Sequence, residues 1–245
     1  MSKLNNDILF LILEELSGDI KSLRSCLLVN KTWCEISVSI LWRNPSGYFK
    51  RGSLNLIISH LSNETKEYLK SEGILSSVIL RKKPLFNYVG FIRYLDLTQL
   101  EQLLELLLRN VKENKVSNII NEILELFING NTRVTHLRIP SHFNRQIHLI
   151  SGADHYFSGL KFLFCSTDDT NQNILEGLSK ISKSIRKMEL YVLTNNYTGI
   201  IKLIEAQKNL NQVWFCCQNQ SIRESLEDSL RSRTEIVRHV KLFFN

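Results

Sequence analysis

The apolar residues of this chain follow two successive patterns. Over the first seventy positions they recur at helical spacing. Leu4, Ile8, Leu9, Ile12, Leu13 and Leu16 make one stripe, with Asp7, Glu14 and Glu15 between them and Asn5 or Asn6 placed to cap the start. Gly18-Asp19 breaks this run, and Ser22 can cap a second through Leu23, Cys26, Leu27 and Val29. A third carries Trp33, Ile36, Ile40 and Leu41 before Asn44-Pro45 stops it. The spacing predicts a three-helix unit over residues 1–45, followed by linker helices within 46–90 built on Leu54, Ile57, Ile58, Leu61, Tyr68 and Leu69. A unit of that size cannot bury Leu4, Ile8, Leu9, Leu11, Leu27, Leu28, Trp33, Leu41 and Trp42 by itself, so part of this surface calls for a partner.

From residue 92 the pattern becomes apolar-x-x-apolar-x-apolar. Its copies are Ile92/Leu95/Leu97, Val134/Leu137/Ile139, Leu160/Leu163/Cys165, Ile185/Met188/Leu190, Leu210/Val213/Phe215 and Val237/Val240/Leu242, with starts separated by 42, 26, 25, 25 and 27 residues. Helical stripes fill the intervals: Leu100, Leu103, Leu104 and Leu107; Ile119, Ile120, Ile123, Leu124 and Phe127; Ile174, Leu175, Leu178 and Ile181; Ile200, Ile201, Leu203 and Ile204; Ile222, Leu226 and Leu230. The first interval has room for two helices. Strand and helix alternating with short connections predict an α/β layer of short parallel strands backed by helices over 91–245.

Both halves carry a family resemblance. Leu4, Ile8, Leu9, Ile12, Leu16, Val29, Trp33, Leu41 and Trp42, with the two tryptophans nine positions apart, resemble an F-box over residues 1–45. Asn5 stands where that family has proline, which removes a rigid helix start. The period and the L-x-x-L-x-L pattern of 91–245 resemble leucine-rich repeats, in which each strand-helix coil stacks on the next into a solenoid. The asparagine or cysteine common after the strand in that family is missing, with Leu100, His142, Asp168, Leu193 and Gln218 at the offset, so irregular coils and an unrelated α/β layer both fit. The resemblance implies a substrate-recognition subunit of an SCF-type ubiquitin ligase in the cytoplasm or nucleus. Leu4, Ile8, Leu9, Ile12, Val29, Trp33, Leu41 and Trp42 would bind a Skp-type adaptor and, through it, cullin and RING subunits. A scaffold without ligase activity would look the same in sequence.

Alternation along each strand assigns the residues between the core positions to the opposite, concave face. Asp96, Arg138, Phe164, Glu189, Trp214 and Lys241 form one row, Tyr94, His136, Phe162, Lys187, Gln212 and His239 a second, and Thr98, Pro140, Ser166, Tyr191, Cys216 and Phe243 a third. Tyr94, Arg138, Phe162, Phe164, Tyr191 and Trp214 are the candidate contacts for an unidentified protein substrate, because aromatic and arginine side chains dominate binding hot spots. The chain ends inside an expected strand with no polar coil after it, which predicts a longer array or a partner at that edge.

Charge changes this picture little. The net +7 is spread, with 0 over residues 1–47, +4 over 48–97, 0 over 98–159 and +3 over 160–245, and Arg81-Lys82-Lys83 is the one basic cluster. A basic solenoid that binds nucleic acid is therefore the weaker alternative, and Asp96 and Glu189 on the strip argue against it. No run of eighteen apolar residues predicts a membrane span. Five cysteines without a Cys-x-x-Cys pair fit a reducing compartment. His136, His142, His148 and His155 lack the i, i+4 spacing of a helical zinc pair, and nucleophile-elbow, phosphate-loop and His-Glu-x-x-His motifs are absent. The expectation is a binding protein with no catalytic residues, metal or cofactor.

Overall fold

The computed structural model describes residues 5–45, 51–74, 84–109, 111–193, 195–217, 224, 228 and 239–243. Two compact units make up the chain, Met1–Arg93 and Tyr94–Asn245.

In the first unit three helices form as the stripes require, and each begins on a side-chain cap. Asn5 accepts from the Asp7 N–H ahead of α1 (Asn6–Glu15), and Asn30 accepts from Trp33 at 3.0 Å ahead of α3 (Lys31–Leu41). The cap of α2 (Ile20–Cys26) is Asp19, not Ser22: its carboxylate accepts from the backbone of Lys21 and Ser22, each at 3.1 Å, and the Ser22 hydroxyl donates to it as well. Asp19 wins because its two carboxylate oxygens take three donors at once, more than the two lone pairs of a hydroxyl could accept. Leu9, Leu13, Leu23, Cys26 and Ile40 form the buried core, with Phe10, Leu16, Trp33, Ile36 and Leu41 packed around it. Glu14 on α1 pairs with Arg43, just past α3, and Trp42 lies 4.9 Å from the Tyr88 ring. Two further helices follow, α4 (Arg51–Ser59) and α5 (Asn63–Ser71), the latter capped by Ser62. Leu54, Ile57, Ile58, Leu61 and Leu69 are all buried.

The second unit is α/β. Six strands, β1 (Tyr94–Asp96), β2 (His136–Ile139), β3 (Phe162–Thr167), β4 (Lys187–Val192), β5 (Gln212–Cys217) and β6 (His239–Phe243), lie parallel in the order of the sequence. Between them run α6 (Leu97–Leu108) and α7 (Glu113–Phe127), then α8 (Ala153–Ser158), α9 (Gln172–Ile181) and α10 (Thr198–Glu205). Because parallel crossovers are right-handed, an order that never reverses sends the described connections, from β1 through β5, over the same face. That face is buried: Leu95, Leu137, Leu163, Met188 and Val213 pair across the sheet in register, and each is at most 3% exposed.

Two local readings change, and others lie outside the described residues. Thr98 is not on the sheet, because Asp96 ends β1 and caps α6 by accepting from the Gln99 N–H, so the chain turns helical one residue after the strand. The short helix α8 and a 3-10 turn at Ile147–Leu149 occupy the interval after β2, where no stripe announces them. The helical stripe of Ile222, Leu226 and Leu230 lies outside the described residues, as do Leu4, the Arg81-Lys82-Lys83 cluster and the side chains of His239, Lys241 and Phe243. No helix among the described residues is long and apolar enough to cross a membrane.

Candidate functional site

Two surfaces carry the expected binding residues, one in each unit. On the first, helix α1 is apolar on both sides. Leu9 and Leu13 point into the core at 2% and 0% exposure, whereas Ile8, Leu11 and Ile12 stand out at 50%, 63% and 48%. Spacings of three and four residues put those three on one helix face. In the turn after α2, Leu28 and Val29 are exposed at 89% and 56%. Trp33, Leu41 and Trp42 are half-buried against their own unit, so among the expected adaptor contacts that are described Ile8, Ile12 and Val29 present the most surface. Leu11 and Leu28 join them although the stripe pattern did not single them out as contacts. Their signal is an apolar arc wider than one core-facing stripe.

On the second unit, the sheet face opposite the buried core carries the strip. Parallel register aligns Tyr94, His136, Phe162, Lys187 and Gln212 in one row, and Asp96, Arg138, Phe164, Glu189 and Trp214 in the next. Neighbouring side chains in these rows engage one another. The Tyr94 ring stacks on His136 at 3.7 Å, and His136 reaches Phe162 at 5.4 Å. The Lys187 ammonium sits 3.7 Å from the centre of the Trp214 ring, 5.3 Å from that of Phe162 and 2.7 Å from Glu189. The Arg138 guanidinium covers Phe164 at 3.7 Å and lies 3.7 Å from Asp96, while Tyr191, 45% exposed, leans on Phe164 at 5.2 Å. All six expected substrate contacts thus share one face, and the two cations on it, Arg138 and Lys187, are matched by Asp96 and Glu189.

The electrostatics of the strip favour neutral contacts. Burial, and then the charge of Lys161, lowers the pKa of His136, so its ring is a neutral planar surface at pH 7. Its Nδ1 lies 2.9 Å from the Thr135 hydroxyl. A self-paired aromatic surface can receive a protein segment at little entropic cost, because planar side chains have few rotamers to lose on contact.

A histidine–carboxylate pair lies beyond the strand ends. Asp168 accepts from the His142 N–H at 2.6 Å, lies 2.7 Å from His142 Nδ1, and accepts from both the Thr170 N–H and hydroxyl. His142 holds a left-handed backbone at φ 64°. Burial works to raise the Asp168 pKa, but the bonds from Thr170 and His142 outweigh it and hold the carboxyl below its ordinary value. The carboxylate clamps two loops. A depressed folded pKa stabilises the fold above the unfolded value and loses that contribution as pH falls through the folded one. The urea midpoint of Asp168→Asn should therefore fall below wild type at about pH 6 and converge with it below about pH 4. A gap that persists unchanged in acid would show that the carboxylate charge is not what matters.

Burial, and then Asp168, pushes the Cys165 thiol far above its usual range, leaving it an inert small hydrophobe. Among the described residues no three His, Cys, Asp or Glu side chains converge as metal ligands.

Three buried amides are structural residues that the repeat pattern overlooks. Asn171, fully buried, donates to the Pro140 and Ser166 carbonyls and accepts from the Asp168 N–H. Gln172 accepts from the Gly199 N–H and donates to the Asp168 carbonyl. Gln207 accepts from the Ile185 N–H and donates to the Ser182 and Leu203 carbonyls. Each ties one strand-helix segment to another. Asn171 serves backbone groups at the ends of β2 and β3: the Pro140 carbonyl just past β2, the Ser166 carbonyl in the last residues of β3 and the Asp168 N–H just past it. Comparison with protein-family models, curated proteins and solved structures found no match to this chain.

Proposed function

We propose that this protein is the substrate-recognition subunit of an SCF-type ubiquitin ligase. Its N-terminal unit is an F-box that docks a Skp-type adaptor, and through it cullin and RING subunits. Its second unit is an irregular leucine-rich-repeat solenoid that holds a target protein on the aromatic strip around Phe164, Tyr191 and Trp214. The chain itself performs no chemical step and works in the cytoplasm or nucleus. The observation that carries this reading is the exposed apolar face of α1, where Ile8, Leu11 and Ile12 stand out while Leu9 and Leu13 fill the core. Three large aliphatic side chains on one face of a solvent-facing helix are an anchor set without an occupant.

The test is co-purification of the full chain with a Skp-type adaptor. The double variant Ile8→Asp/Ile12→Asp should fold normally by circular dichroism, since both sites are open to water, and bind at least about a hundredfold more weakly. Leu9→Asp is the wrong probe, because a charge in the core would unfold the unit and abolish binding for a trivial reason. No complex with the folded wild-type chain would overturn the ligase reading. A complex that supports no ubiquitin transfer to any captured protein would leave a scaffold.

A further inference from the structure

In a parallel α/β unit each helix ends where the next strand begins, so the segments that join them gather at one end of the sheet. Here they are residues 128–135, 159–161, 182–186 and 206–211, which lead into β2, β3, β4 and β5. Together they hold Arg133, Lys161, Lys183, Arg186 and Lys208, all exposed, and no carboxylate. No run of the sequence announces this rim, because the fold alone brings the four segments together. Backbone bonds make the cations neighbours: the Lys161 carbonyl accepts from the Arg186 N–H at 2.8 Å, and the Lys183 carbonyl from the Lys208 N–H at 3.1 Å. Lys183 is engaged at the end of α9, where its ammonium donates to the Ser179 carbonyl. The side chains of Arg133, Lys161, Arg186 and Lys208 make no hydrogen bond or ion pair among the described residues. Of the carboxylates nearest in sequence, Glu189 is held by Lys187, and Glu125, Asp154 and Glu205 pair with none of the five.

We propose that this basic rim receives a run of aspartate or glutamate residues at one end of the target segment whose apolar residues lie on the strip, which rests on the strip being the target site. Rim and strip are continuous: Lys161 directly precedes Phe162, Arg186 directly precedes Lys187, and the Lys161 charge is felt by the His136 ring. They differ in charge balance. On the strip Arg138 is matched by Asp96 and Lys187 by Glu189, whereas the rim cations have no carboxylate partner. A segment that fits both must change from apolar to acidic along its length. A polypeptide does so within a few residues. A nucleic acid is negative at every nucleotide and would carry its phosphates past Asp96 and Glu189. The rim also sets a length: three inter-strand steps from β2 to β5 span about 14 Å, which about four extended residues cover.

Three labelled probes test this on the full chain by fluorescence anisotropy: a peptide of alternating tryptophan and leucine followed by a run of glutamates, the same peptide with glutamines in their place, and an oligothymidylate of similar length. At low salt the glutamate peptide should bind at least about tenfold more tightly than the glutamine peptide, and the gap should close as salt is raised. Lys161→Gln/Arg186→Gln/Lys208→Gln should close the same gap while leaving the affinity for the glutamine peptide unchanged, which a misfolded variant would not do. Tyr191→Ser, at an exposed position of the strip, should weaken both peptides alike and so checks the strip by itself. Equal affinity for the two peptides, a glutamate preference that survives the triple variant, or tightest binding of the oligothymidylate would each overturn the rim proposal. Failure of both peptides to bind, or binding indifferent to Tyr191→Ser, would overturn the strip as the target site and the rim with it.

Discussion

Replacing Gln207 with alanine is expected to lower the stability of the Tyr94–Asn245 unit by about 3 kcal/mol or more, the largest loss from removing any single polar side chain described here. Gln207 is 1% exposed, and its amide satisfies one backbone N–H and two carbonyls: Ile185 at 3.0 Å, and Ser182 and Leu203 at 2.9 Å each. Alanine strands all three in a dry interior and leaves a void. Each unsatisfied buried group costs about 1–3 kcal/mol, whereas the net gain from a satisfied bond is nearer one. The effect should concentrate where the amide reaches, at the entry to β4. Hydrogen exchange of the Lys187–Val192 amides is therefore the measurement, with an expected loss of protection of about a hundredfold. Gln102→Ala, on the exposed side of α6, supplies the control and should stay within about 0.5 kcal/mol. Protection equal to wild type in Gln207→Ala would mean that water replaces the amide, and that this junction is wetter than its burial implies.

The second large effect is expected at Gly152, which enters α8 with φ 84°. A Cβ at this position would stand 2.6 Å from the Gly130 nitrogen, 2.8 Å from its Cα and 2.9 Å from the Asn129 carbonyl carbon, all backbone atoms with no rotamer to yield. Gly152→Ala must therefore adopt a left-handed conformation and also push two chain segments apart. Gly130 separates the two effects. It has φ 69°, but its added Cβ would meet the Gly152 Cα at 3.3 Å, which a small shift relieves. Gly130→Ala should cost about 1–2 kcal/mol, the ordinary penalty of the left-handed region, and Gly152→Ala at least twice that. Thermal unfolding of both variants decides it. Equal losses would show that the close approach is soft and only the dihedral matters.

The strands were legible because each carries two signals that agree. The repeated triplets mark positions that the sheet places side by side: Leu95, Leu137, Leu163, Met188 and Val213 are register partners, as are Ile139, Cys165, Leu190 and Phe215. A sheet buried on one face cannot slip by a residue without exposing its whole core, so the apolar phase also fixes which residues form the opposite face. That is why Tyr94, Arg138, Phe162, Phe164, Tyr191 and Trp214 could be assembled into one strip before any geometry was known. In α1 the helix was equally legible but its faces were not. Ile8 and Leu9 are both large and apolar, and only the positions of α2 and α3 make one solvent-facing and the other core.

Non-periodic features left weaker traces. Asp19 displaced Ser22 as a cap because its carboxylate meets three donors at once, a matter of geometry within one turn. Thr98 left the sheet because Asp96 ended the strand and started a helix in the same place. Asn171 and Gln207 sit among ordinary polar residues, and nothing in their spacing announces that a backbone carbonyl thirty-one residues away, or an N–H twenty-two away, needs them.

Repetition along the chain, then, set the alternation of strand and helix, the parallel pairing and the composition of the strip, because hydrophobic burial acts in the same way at every copy of the apolar-x-x-apolar-x-apolar pattern. Packing in three dimensions set which aliphatic residues of α1 face outward, how the cations of the strip pair with its carboxylates, which cations gather where the strands begin, and which amides and glycines cannot be replaced. Those depend on distances between segments far apart in the chain, and residues such as Gly130 and Gly152 acquire their meaning only when the fold brings their backbones together.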